Sequence, residues 1–202
     1  MKIGMIFECG PEGADLQVCR HLAQLVVPSV AISHVTLNTK PRLLSDCGKA
    51  AAGLLAESCR HVFVIWDLFP PWRGRKAKPC RRNDRAAIRR SLNTDEVDPA
   101  KVTLVCIEEE LEAWLIADGR GVSRVLSTTA HPVTVRHISN AHRRKNPKAY
   151  LNRLFNQHRR GQYVDRRHAL QIVQNIPDLN QLRRIPSFAR FQERLLLRMK
   201  RQ

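Results

Sequence analysis

Two rhythms of apolar and polar positions alternate along this chain. Residues 2–7 form a short apolar run ending at Glu8 and the turn Cys9-Gly10-Pro11-Glu12-Gly13, the pattern of a buried strand and its loop. Leu16, Cys19, Leu22, Ala23 and Val26 then recur at helical spacing, with Asp15 placed as their N-cap. Residues 30–37 read as a second strand and the Ala- and Leu-rich residues 43–59 as a helix. Residues 61–66 form the most apolar strand, which stops at Asp67; Pro70 and Pro71 continue neither strand nor helix, because proline removes a donor and fixes the backbone. A basic helix over 84–92, a strand over 102–107 and a helix over 108–115 with an acidic first turn follow. This β-α order, repeated four times, predicts a mainly parallel sheet with helices on both faces.

Beyond Asp118 the strand pattern fades. Helical spacing remains at 148–157, 167–174 and 188–200, the last with Phe188, Phe191, Leu195 and Met199 on one stripe, as core packing requires. Gly119 and Gly121 mark the expected boundary between an α/β domain (1–118) and a mainly helical subdomain (119–202) packed on it. At 202 residues, the chain can bury roughly 70% of its unfolded surface without a disulfide or metal staple. Its six cysteines show no C-x-x-C or zinc spacing, so reduced and mostly buried thiols are expected. No run approaches a membrane span, and the first apolar run is too short for a signal peptide, so a cytoplasmic protein is expected.

Charge changes this picture. The formal charge is +17, and residues 119–202 hold 19 basic against 3 acidic side chains. Residues 73–90 hold 9 basic residues and one acid, Asp84, which leaves the rest of residues 1–118 acidic. Arginine dominates the basic part, and its planar fork suits phosphates, so a polyanion, most naturally nucleic acid, is the expected partner.

The acids mark the other half of the chemistry. Three of the four expected strands end in acid, at Glu8, at Asp67 and at the run Glu108 to Glu112. In an open parallel sheet ligands bind beyond the carboxyl ends of the strands, and neighbouring strands lie ~5 Å apart. Carboxylates brought together there repel unless a cation sits among them, and oxygen donors suit Mg²⁺ or Mn²⁺. The same rim receives the basic loop after Asp67. Acids for a metal beside a phosphate-binding loop are the parts of a phosphodiester-cleaving site. No H-E-x-x-H, P-loop or nucleophile-elbow pattern offers a competing chemistry. Trp72, beside Arg73, is the tryptophan expected near a ligand; Trp66 and Trp114 fall inside apolar runs.

A first strand ending in Glu with Gly close behind, and an Asp at a later strand end, resembles the Toprim catalytic domain. The string Glu110-Leu111-Glu112-Ala113-Trp114-Leu115-Ile116-Ala117-Asp118 is followed by Asn146-Pro147-Lys148, Tyr163 and Ile185-Pro186-Ser187-Phe188. Together these resemble the small Toprim-like proteins of domain-of-unknown-function family 4276, over nearly the whole chain. The resemblance implies a Toprim-like (Rossmann-like) fold and a Mg²⁺- or Mn²⁺-dependent enzyme acting on nucleic acid, such as a nuclease of defence or repair. It implies Glu8 as metal ligand or general acid/base, and Asp67 with Glu110 or Glu112 as metal ligands. Arg73, Arg75, Lys76, Lys78, Arg81, Arg82, Arg143, Arg144, Lys145 and Lys148 are the expected phosphate contacts. Toprim proteins carry Asp-x-Asp where this chain has Asp67-Leu68-Phe69, and Glu12-Gly13-Ala14-Asp15 is a second fit to the Glu-Gly motif. The missing second Asp favours an alternative: a binding or effector subunit that keeps the fold without the chemistry. A partner ATPase is a further candidate partner.

Overall fold

In β1 (Lys2–Phe7), Ile3, Met5 and Phe7 enter one apolar cluster while Ile6 enters another. The same division recurs in β3 (Val62–Asp67), where Phe63 and Ile65 take the first side and Val62, Val64 and Trp66 the second. Period-2 alternation with both faces apolar is what a sheet covered on both sides demands. The computed structural model, which describes residues 1–69 and 78–199, has that architecture. Four parallel strands lie in the order β2-β1-β3-β4, with β2 at Ala31–Thr36 and β4 at Val102–Ile107. The fold is α/β and Rossmann-like.

Helices α2 (Lys40–Ala56) and α3 (Arg81–Thr94) cover the face of Val64 and Trp66. Helix α1 (Ala14–Val26) covers the other, together with α4 (Glu112–Leu115), α5 (Gly119–Leu126), α6 (Pro147–Gln157), α7 (Asp165–Gln174) and α8 (Pro186–Met199). One continuous apolar cluster therefore joins the sheet to the C-terminal helices. Its centre is aromatic: Trp114 meets Phe188 edge-on at 5.3 Å, and Phe63 meets Phe191 at 5.7 Å. The Trp114 indole N–H donates to Ser187 Oγ at 2.9 Å, so the Glu-Leu-Glu-Ala-Trp and Pro-Ser-Phe strings meet in the core. Among the described residues no helix is long and apolar enough to cross a membrane. All six cysteines are free thiols, four of them buried.

Two local expectations need correction. Asp15 is not the cap of α1: Gly13 holds that position and Asp15 lies within the first turn. The helix expected over 108–115 is only Glu112–Leu115. Glu109 has φ 64°, and its carbonyl accepts the Phe69 N–H at 2.9 Å, so the link between the β3 and β4 segments continues into the turn. Gly119 and Gly121, read as boundary signals, open α5, which begins at Gly119. A Cβ on Gly121 would sit 2.6 Å from the Ile172 carbonyl oxygen, so this glycine sets the approach of α5 to α7.

Candidate active site at the carboxyl ends of β1 and β3

After β1 the chain crosses to β2 on one side, then returns to form β3 on the other side of β1. The space beyond β1 and β3 is thus the topological switch point, where open α/β sheets form their ligand crevice. Glu8 directly follows β1 and Asp67 ends β3. Glu8 Oε1 accepts the Asp67 backbone N–H at 2.9 Å, and Asp67 Oδ2 accepts the Leu111 N–H at 3.1 Å. Each carboxyl is thereby fixed through one oxygen. The other oxygens, Glu8 Oε2 and Asp67 Oδ1, are buried without a hydrogen-bond partner among the described residues, as is Glu108 Oε2. Orphaned buried carboxyl oxygens are rare and costly in native proteins, and they cluster where a ligand or ion completes the site.

Two more acids join them. The turn after β1 closes with the Gly13 N–H donating to the Gly10 carbonyl at 2.9 Å, and a Cβ on Gly13 would come within 2.4 Å of the Cys9 side chain. This tight return carries Asp15 back towards the strand end. Glu112, at the start of α4, is 4% exposed. It lies beside Lys148 and Tyr163, whose buried hydroxyl has no hydrogen-bond partner of normal geometry among the described residues.

Burial raises Glu8 to about 7; Lys40 and the Asp67 N–H oppose the rise, while Asp15 and Asp84 add to it. Asp15 is pushed up to about 6 by burial and by the Asp165 charge, against a backbone hydrogen bond and Lys148. Asp67 is held well above the usual carboxylate range by burial and by repulsion from Asp15, Glu8 and Glu112. Glu112 is raised to about 7 by burial, with Lys148 opposing. Four carboxyls that disfavour one another's ionisation form a site with demand for positive charge.

Part of that demand is met by Lys40. Its Nζ donates to the carbonyls of Asp67 and Leu68 at 2.7 and 2.8 Å and lies 3.3 Å from Asp84 Oδ2. Asp84 also accepts the Trp66 indole N–H at 3.1 Å. Thr39 caps α2, Pro41 fits its first turn, and Lys40 is thereby aimed under the end of β3. On the opposite side Lys148 pairs with Asp165, and its backbone N–H reaches Glu110 Oε2 at 3.4 Å.

The sequence-derived residues separate accordingly. Glu8, Asp67 and Glu112 come together, with Glu110 at the rim. Glu12 is exposed on the loop, 4.0 Å from Arg166. Arg81 pairs with Glu108 at 3.0 Å, and Arg82 and Lys78 are exposed. Arg143 and Lys145 are exposed around the 3-10 turn at Ala141–Arg143, and the Arg144 guanidinium stacks 3.8 Å over the Tyr150 ring. Trp72, Arg73, Arg75 and Lys76 lie outside the described residues. Sequence reasoning passed over Lys40, and it gave Asp15 a capping role apart from its place in the alternative Glu-Gly-x-x-Asp fit. The available signal for Lys40 was its position just after a strand end, immediately before a helix-opening proline.

The donor set suits a hard divalent cation. Among the described residues no three His, Cys, Asp or Glu side chains gather closely enough to enclose an ion by themselves. Mg²⁺ commonly takes only one or two carboxylates and completes its shell with waters and phosphate oxygens. Glu8 Oε2 and Asp67 Oδ1 fit that role. No known protein family, curated protein or solved structure matches this chain.

Proposed function

We propose that this chain is a Mg²⁺- or Mn²⁺-dependent phosphodiesterase acting on nucleic acid, a nuclease of defence or repair. The observation that carries the reading is the pair of orphaned buried oxygens, Glu8 Oε2 and Asp67 Oδ1, at the switch point of a parallel sheet. These two carboxyls would hold the ion, which when bound supplies charge to polarise a phosphoryl oxygen and to acidify water. The Asp67 and Leu111 N–H groups fix the two carboxyls, so little reorganisation accompanies binding. Glu112, raised to about 7, is the carboxyl suited to give or take a proton at neutral pH. Lys40 braces the end of β3 from below.

The test is cleavage of labelled single- and double-stranded DNA and RNA with Mg²⁺ and with Mn²⁺. Wild type is expected to cleave at least one form, and Glu8→Gln and Asp67→Asn to lose roughly 10²-fold or more in rate while staying folded. A folded wild type that cleaves none of them, alone or with cell extract supplying a partner ATPase, overturns the reading. One observation favours a second: the ligand positions are two where Toprim proteins offer more, since Phe69 stands at the second Asp. A nucleic-acid-binding subunit without chemistry would then bind the same substrates with no dependence on metal.

A further inference from the structure

Among the described residues β4 is an edge strand, with β3 as its one neighbour in the sheet. Along its free side runs a groove of about 350 Å³ whose floor includes residues 102–104 of β4 and Leu92. Its walls are arginine: Arg85 and Arg89 from α3, and Arg190, Arg194 and Arg198 from α8. Among the described residues no acid lines it and none of the five arginines forms an ion pair. Arg85 Nε and Arg198 Nε are buried without a hydrogen-bond partner among the described residues.

Spacing orders these charges. Residues four apart share a helix face and lie ~6 Å apart along its axis. Arg190, Arg194 and Arg198 thus form one row, and Arg85 and Arg89 a facing one. One turn before Arg85 on α3 stands Arg81, which pairs with Glu108 at the carboxylate rim. The α3 row therefore runs from the candidate active site to the groove.

We infer that this groove holds the sugar-phosphate backbone of a nucleic acid strand and leads it towards the carboxylates at the ends of β1 and β3. The inference rests on the nucleic-acid reading above but not on catalysis. Guanidinium forks in two facing rows match phosphate oxygens by geometry and charge. An acidic peptide added to the β4 edge would instead need pockets for alternate side chains. Arg85 is lowered from its ordinary value by burial, then by the Arg190, Arg89 and Arg81 charges, as expected where cations gather without a counter-charge. His61, buried at the start of β3, is lowered to about 4 by burial and then by Arg198 and Arg194. It is a natural reporter, because an anion in the groove offsets those charges.

Arg89 and Arg194 are exposed, so replacing them does not disturb the core. Fluorescence anisotropy with labelled 20-mer single-stranded DNA and RNA is measured on wild type, Arg89→Gln/Arg194→Gln and Arg143→Gln/Lys145→Gln, with unlabelled polyglutamate as competitor. The groove variant is expected to bind about 10-fold or more weakly, with a salt slope reduced by about 0.7 per lost phosphate contact. The His61 ring, followed by NMR, is expected to titrate higher once oligonucleotide is added to wild type. If wild type binds neither strand, the nucleic-acid reading itself falls, and the groove with it. If the strands bind and only the Arg143/Lys145 variant weakens, the groove inference falls alone. If polyglutamate displaces the strands at equal charge concentration, the groove is a docking site for acidic protein and the inference is overturned.

Discussion

At the scale of single residues, the carboxyls around Asp67 exchange protons near neutrality, and this carries a stability consequence. Glu8 and Glu112 are raised to about 7 and Asp15 to about 6, so between their unfolded values and pH 7 the folded chain holds more protons than the unfolded one. Their contribution is fully present below the unfolded pKa values and lost as pH rises through the folded ones. His61 acts in the opposite direction: lowered to about 4, its contribution is present above its ordinary value and lost as pH falls. Between pH 6.5 and 8.5 the acids deprotonate in the folded chain, while the unfolded His61 and, towards pH 8.5, the thiols that burial raises also contribute, so the acids' share is read from the difference between wild type and Glu112→Gln. Melting temperature without divalent ions is expected to fall across that window. Glu112→Gln is expected to remove about 1 kcal/mol of the decline. A melting temperature that holds or rises over this range would remove the evidence that the acids are uncompensated. Lys40 offers a second residue-scale test. The Lys40–Asp84 pair is buried on both sides. Lys40→Met leaves Asp84 as an uncompensated buried acid and is expected to cost about 3 kcal/mol or more in urea unfolding. A loss below about 1 kcal/mol would mean that Lys40 does not brace this part of the site.

At the scale of elements, the strands were the most legible part of the sequence. Their apolar runs ended at Glu8, Asp67 and Ile107, and β1, β3 and β4 end within one residue of these points. The convergence of Glu8 with Asp67 was legible for the same reason: parallel strands place their ends together, and the chain order sets the switch point. Helix ends were less legible, because loop geometry decides them. The positive φ of Glu109 accompanies its bond to the Phe69 N–H, far away in sequence, and the return at Gly13 is set by packing against the Cys9 side chain, which an apolar pattern does not record. Helix α5 was hidden because glycine has a low helix propensity and marks boundaries elsewhere. Here close packing against α7 selects it. Gly121→Ala is accordingly expected to destabilise by about 1–3 kcal/mol despite its better propensity, as overpacking does. A stabilised Gly121→Ala variant in thermal denaturation would show that α5 and α7 are not in this close register. The arginine groove was not legible either. Arg85 and Arg89 are about a hundred residues from Arg190 and Arg194, and only the packing of α3 and α8 along one sheet edge makes them neighbours.

At the scale of the whole molecule, charge and topology are arranged in sequence along one path. Acid collects at the carboxyl ends of the central strands, and guanidinium groups line the edge of β4. Arg81 and Glu108 join the two regions through their ion pair. On the proposed reading, the formal charge of +17 would draw a polyanion from a distance, and ordering along this path would decide where it lies. The metal-binding role of Glu8 and Asp67 is the claim on which the enzymatic reading turns. Mn²⁺ binding followed by electron paramagnetic resonance tests it most directly, on wild type, Asp67→Asn and Glu110→Gln, each verified as folded. One saturable site is expected in wild type and in Glu110→Gln, whose carboxylate lies at the rim, and it is expected to vanish in Asp67→Asn. Wild-type protein with no saturable Mn²⁺ site, or with a site that Asp67→Asn leaves intact, would contradict the assignment.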